Sequence, residues 1–300
     1  MNVLHINTLQ TAGAALCAIR INKALVSNGI NSSMLFAQGP DMPDGIDGAI
    51  AEGDKDLWHS NKWLLRLKYM LSRSHLWKKM DKEKVEIILN KKNKLISKKL
   101  YLHGPFSNYK NIAHHPLVEW ADVIHLHWVS YFIDYPTFFK NVTKPIVWTL
   151  HDYYPAMGVM HFESDFYPVP DCMKDIDVYC RSVKRESLKY ATNLNLVAIS
   201  EHMASICNES NIVNTFPVTL IHNGVDTEIF KIYDRREARK ILGLPVDEYV
   251  FLFSSNNLAD DNKGLDRLKK ALEMVNVTNS TIVCIGGNDS WIPIMTTQKI

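Results

Sequence analysis

Along this chain the spacing of apolar positions switches between two periods, and each switch marks an element. Asn2–Asn7, Asp122–Trp128 and Pro145–Leu150 are short runs rich in Val, Ile, Leu and Trp that end in polar residues, the signature of buried strands. The stretch Ala121–Asp152 therefore reads as strand, crossover, strand. Side chains alternate along a strand, so His125 and His127 share one face and Ile124 and Leu126 the other. Elsewhere the period is helical. Ala14, Ala18, Ile21 and Leu25 form one stripe, predicting a helix up to about Asn28, with Asn28-Gly29 as its stop. A strand at Ser33–Ala37 follows.

Further on, helices are expected at Arg181–Ala191 and Glu201–Asn208, and strands at Asn195–Ile199 and Val218–Ile221. A second unit then opens: a charged helix at Asp234–Leu242, a strand at Tyr249–Phe253, a helix carrying Leu265, Leu268, Leu272 and Val275, and a strand at Thr281–Ile285. The fold class implied is α/β, with a complete doubly wound Rossmann-like domain over 1–230 and a partial second one over 231–300. Doubly wound domains usually need more than about 100 residues, so the second reads as incomplete. Tyr153–Tyr179, with Pro155, Pro168 and Pro170, is expected to be a long functional loop.

Composition narrows the class. Of 300 residues 46% are hydrophobic and 22% charged, as in a soluble protein, and no apolar run reaches the roughly 18 residues of a membrane span. The start, MNVLHINTL, lacks the basic region of a signal peptide. Five scattered cysteines without a CxxC pair fit reduced thiols in a cytoplasmic protein. The net charge of +2 hides an asymmetry, since Ser60–Lys99 holds thirteen Lys or Arg against three acids. This basic helical insert, near 56–100, places Lys62, Arg66 and Arg73 on one helix face against Trp58, Trp63 and several leucines. It is either an interfacial helix that meets an anionic membrane surface or a packed helix with a solvated face. No motif of nucleic-acid recognition accompanies it.

In open parallel sheets the ligand crevice lies at the carboxyl ends of the strands, where His127, His151 and Asp152 are expected. Gly13 sits in the first strand-to-helix loop, where helix amides can hold a phosphate; the alternative is that it only permits a tight turn. Cys172, Cys180 and His161 lack the close ligand spacing and fourth partner of a zinc site, and no metal is expected.

Taken in order, TAGAALCAIRINKALVSNGINSSML, ADVIHLHWV, KPIVWTLHDYYPAMG with His161 after it, IHNGVDTEIF, ARKILGLP and the Lys263-Gly264 turn resemble family-4 glycosyltransferases of the GT-B fold. These are retaining enzymes of bacterial polysaccharide assembly. The subgroup whose Leu-His-Asp-aromatic motif is followed by Gly-Gly-Cys-His is the most similar; here that segment reads Met157-Gly158-Val159-Met160-His161. The resemblance implies that His151 is catalytic, lining the reaction centre. It assigns Gly13, Lys263 and Gly264 to the donor diphosphate, and His127 and Asp152 to the acceptor side. A lysine and helix amides stabilise a diphosphate leaving group without a metal, so no cofactor is implied.

Implied partners are a nucleotide-sugar donor, a glycan or lipid-linked acceptor and an anionic membrane surface, with a cytoplasmic or peripheral location. The loop before Lys263 holds Asn256, Asn257, Asp260, Asp261 and Asn262 where the family often has a basic residue. The family's paired glutamates and base contacts belong beyond Ile300, so residues 1–300 alone are expected to transfer sugar poorly. Two alternatives stay open: a non-catalytic acceptor- or membrane-binding module, and another enzyme, such as a nucleotide-sugar epimerase or a metal-dependent hydrolase using His125, His127, His151 and Asp152.

Overall fold

A computed structural model describes residues 1–53, 70–71, 80–95, 102–107, 109, 111–162, 171–255, 258, 260, 263–275, 279–286 and 296–297. Lys62, Arg66 and Arg73 lie outside the described residues, as do the expected helix break near Ser72–His75 and four of the five polar residues before Lys263. Two compact units are present, Met1–Gly224 and Val225–Ile300.

In the first unit seven strands form one parallel sheet in the order β3-β2-β1-β4-β5-β6-β7. They are β1 (Asn2–Asn7), β2 (Asn31–Phe36), β3 (Gly48–Ile50), β4 (Val123–Leu126), β5 (Ile146–Leu150), β6 (Leu194–Ala198) and β7 (Val218–Leu220). Helices α1 (Ala12–Ser27), α2 (Lys82–Leu95), α3 (Pro116–Trp120), α4 (Tyr135–Asn141), α5 (Asp171–Leu188) and α6 (Glu201–Glu209) connect or flank them. The expected loop over Tyr153–Tyr179 is corrected: α5 begins at Asp171, directly after Pro168 and Pro170, and carries Cys180.

The two faces of the sheet differ. On one, Leu4, Ile6, Ile124, Leu126, Trp148, Leu150, Leu194 and Leu196 are all within 2% of full burial, packed with Phe138 and Phe139 of α4, Leu188 of α5 and Met203 of α6. Burial of this size is the main source of stability, and a fully buried Trp148 alone would cost ~3–5 kcal/mol to truncate to alanine. On the other face, α1 covers β2 through Ala18, Met34 and Phe36. Next to that patch the same face turns polar. His5 and His125 are partners across the β1–β4 pair, and His127, Thr149 and His151 continue the row.

The second unit is smaller. Strands β8 (Tyr249–Ser254) and β9 (Ser280–Ile285) run parallel, and β10 (Thr296–Thr297) pairs antiparallel with β9. Helices α7 (Arg235–Ile241) and α8 (Leu265–Val275) accompany them, α7 capped by the Asp234 carboxylate, which accepts from the amides of Arg236 and Glu237. Leu265, Leu268 and Leu272 form the expected stripe of α8 and are half-buried. Among the described residues no helix is long and apolar enough to cross a membrane.

Candidate functional site

Three loops leave the carboxyl edge of the sheet side by side, after β1, β4 and β5, and they are tied together. Thr8 N donates to Trp128 O at 2.8 Å, Thr8 Oγ1 to Ser130 O at 2.8 Å, and Trp128 N to Asn7 Oδ1 at 2.9 Å. Two non-glycine residues at this edge have left-handed backbones, Ala12 at the start of α1 (φ 76°) and Tyr131 (φ 66°). Such strain costs on the order of 1–3 kcal/mol each and tends to collect at functional edges.

His127 leaves the end of β4 and His151 the end of β5. His127 is buried and held from below, because Trp148 Nε1 donates to its carbonyl at 3.0 Å. Its ring bridges two others: Nε2 lies 3.0 Å from His5 Nδ1, and Nδ1 lies 3.1 Å from His151 Nε2. His151 is half-buried, and its Nδ1 has no hydrogen-bond partner among the described residues. Burial lowers its pKa to about 4, against a smaller upward pull from Asp152. The same cause, with mutual repulsion of the imidazoles, brings His125 to about 4 and holds His5 and His127 well below the usual histidine value. All four rings are therefore neutral near pH 7. His125 bonds Thr149 Oγ1 at 2.8 Å through Nε2.

Asp152, the next residue, turns the other way. Its Oδ2 accepts from Trp128 Nε1 at 2.8 Å and pairs with His161 Nδ1 at 2.5 Å, and its Oδ1 accepts from the Tyr154 amide at 3.1 Å. Burial would raise its pKa, but His161 and the donors outweigh it, and the carboxyl is held below the usual carboxylate value. His161 Nε2 continues to His103 Nδ1 at 2.5 Å, and its ring stacks on Tyr154 at 4.7 Å and 6°. The Asp152 carboxylate is thus spent inside the protein.

The loop between Asp152 and His161 is pinned from α5. Lys184, fully buried, donates to the carbonyls of Tyr154 (2.5 Å) and Met157 (2.8 Å) and lies over the Tyr154 ring. Asp177 accepts from the Val159 amide at 3.0 Å. At Gly158 an added Cβ would stand 2.2 Å from Asp177 Oδ1, so only glycine fits there. Cys180 is buried in the same cluster, and burial pushes its thiol up to about 12.

One group of described residues could converge on an ion. His5, His125 and His127 offer nitrogens within 4.8 Å of one another. A tetrahedral ion bound at about 2.0–2.1 Å needs nitrogens closer than that, and His5 Nδ1, His127 Nε2 and His125 Nε2 are taken up in bonds to one another and to Thr149. The cluster as built is a hydrogen-bonded one. A shallow groove of about 290 Å³ lined by Lys82, Glu86, Tyr109, Asn111, Asp134 and Thr137 contains none of these imidazoles.

The donor-side residues fall in both units. Gly13 is exposed in the first turn of α1; its own φ is not left-handed, Ala12 taking that conformation, and a Cβ added there meets nothing within 4 Å. In the second unit Lys263 is exposed ahead of α8, and Gly264, at φ +83°, makes the turn into that helix. His127 and His151 are in direct contact within the first unit. Sequence reasoning overlooked His5, His103 and Lys184. For His5 the available signal was parity: it faces the same side as His125 once β1 and β4 are paired.

The doubly wound seven-stranded sheet and the second small α/β unit match, in fold, structures of the GT-B type. No protein-family model and no curated protein sequence matches the chain. Among solved structures, Anabaena HepE in complex with UDP-glucose aligns with a TM-score of 0.50 and 14% identity over 95% of this chain. HepE in complex with UDP and glucose gives 0.51 and 14% over the same share. A glycosyltransferase from Rickettsia africae aligns at 0.46 and 12% over 96% of this chain and 69% of its own. The chain spans about 60% of the length of HepE.

Proposed function

We infer that this chain belongs to a retaining, family-4-like glycosyltransferase. It moves a sugar from a nucleotide-diphosphate sugar to a glycan or lipid-linked acceptor in bacterial surface polysaccharide synthesis. The observation that carries the reading is His151: a neutral imidazole at the carboxyl edge of a GT-B-type sheet, with one nitrogen bound inside and the other without a partner among the described residues. The likeness to HepE, solved with UDP-glucose, supports a nucleotide sugar as the donor.

In this mechanism His151 positions the transferring sugar by a hydrogen bond. The open space over Gly13 lets the donor diphosphate approach the amide end of α1. Lys263 and the amino end of α8 offset the charge that grows on the leaving diphosphate, a task that needs no metal. Asp152 acts indirectly, by fixing the loop that follows His151. The basic segment around Lys62, Arg66 and Arg73 would hold the protein on an anionic membrane where a lipid-linked acceptor resides.

The test is release of nucleoside diphosphate from a panel of nucleotide sugars in the presence of bacterial lipid extracts. His151→Ala should lower kcat by about 10²-fold or more with the fold intact. Lys263→Ala should lower it as well. Turnover indifferent to both substitutions would overturn the reading.

A further inference from the structure

His151 is the outer end of a row. Behind it stand His127 and His5, with ring centroids 5.4 and 5.3 Å apart along the row and interplanar angles of 24° and 28°. His127 is 2% exposed and His5 0%. A neutral imidazole carries one N–H, and each of the two N···N bridges can hold one proton. Only two arrangements satisfy both bridges. In the first, His5 donates to His127 and His127 donates to His151, so His151 accepts at Nε2 and must carry its own proton on Nδ1. In the second every proton points the other way, and His151 Nδ1 is a bare lone pair.

The inner end decides between them. His5 Nε2 is buried and has no hydrogen-bond partner among the described residues. The first arrangement leaves a lone pair there; the second strands an N–H. Buried donors without a partner are the rarer and costlier case. We propose that His5 and His127 are positioning residues that set the tautomer of His151, so that it presents Nδ1–H as a donor to an oxygen of the bound nucleotide sugar. The role of that donor rests on the reading of His151 given above; the tautomer itself does not.

The experiment is ¹⁵N imidazole NMR at pH 7.5 on the labelled protein, assigned with His151→Gln. His151 should show the Nδ1–H form, the minor tautomer of free histidine. His5→Leu removes the inner donor, and His151 should shift toward Nε2–H. His5→Asn places an amide donor near the former Nδ1 and should restore the wild-type pattern. Turnover should follow the same order, falling about ten-fold or more in His5→Leu through kcat with KM little changed, and recovering in His5→Asn. Plain packing predicts the reverse order, because leucine suits a buried site better than the smaller, polar asparagine.

An Nε2–H resting form, or a His151 signal unmoved in both variants, overturns the relay. A tautomer that shifts while turnover stays constant leaves the relay standing and overturns the assigned role of His151. Amide spectra of each variant report whether it folds, and His5→Asn provides a second route should His5→Leu not fold.

Discussion

Two strings of imidazoles meet at the same edge of the sheet, and a single carboxylate separates their behaviour. In His103–His161–Asp152 the chain ends on an acid that also accepts from Trp128 and Tyr154. Every proton there is fixed by a charged neighbour, and the string serves to hold the loop in place. In His5–His127–His151 neither end meets a partner among the described residues, and burial keeps all three rings neutral. Proton positions along it depend only on its ends, one buried and one at the crevice. The lesson is that a buried carboxylate makes a polar network rigid, whereas its absence leaves a network that a ligand can read.

Removing the acid should break the comparison most severely. Asp152→Ala leaves His161, Trp128 and the Tyr154 amide without their acceptor, and a loss of ~3–5 kcal/mol is expected in urea unfolding. An effect below 1 kcal/mol would mean the string is not structural.

Acid should then act on the buried imidazoles of the sheet's polar face, His125 beside the second string included. The unfolded chain protonates its histidines at the ordinary value of 6.5, whereas in the fold His125 and His151 wait until about 4. Between those values the unfolded state binds more protons, so stability falls as pH is lowered, at up to about 1.4 kcal/mol per pH unit per imidazole. Asp152 contributes in the same direction at lower pH, its stabilisation being lost as pH falls from the ordinary carboxylate value through its own lowered one. His125→Asn should flatten the slope between pH 6 and 4.5; a slope unchanged would assign it to other groups.

A smaller effect is expected from Gly158→Ala. The new methyl meets Asp177 Oδ1 and the Asp177 carbonyl at 2.2 and 2.4 Å, and overpacking of this kind costs ~1–3 kcal/mol. It should loosen the loop carrying His161 while leaving the His5–His127–His151 signals in place.

Most of the fold could be read ahead of time because its strands are short, apolar and closed by polar residues, and because α1 shows its stripe. What escaped reading has physical causes. Helix α5 starts just after Pro168 and Pro170; prolines suggested a loop, although a proline followed by Asp171 is also how helices open. Lys184 is a lysine on a helix, ordinarily a solvent residue, and only the carbonyls of Tyr154 and Met157 explain its burial. Strand β3 has three residues, one of them glycine, too few to show a period. The resemblance assigned Asp152 to the acceptor side; only the structure shows its carboxylate accepting from Trp128 while the ring of His151, the residue before it, bonds His127.

The order of apolar and polar residues by itself determined that this chain builds a parallel sheet, and that His127 and His151 end neighbouring strands. Those follow from local periodicity, which needs no partner to be visible. Which nitrogen touches which, and which ring is left unsatisfied, was decided only by the pairing of β1 with β4 and of β4 with β5. The first of these pairings joins residues more than a hundred positions apart, and no local pattern encodes the register between them.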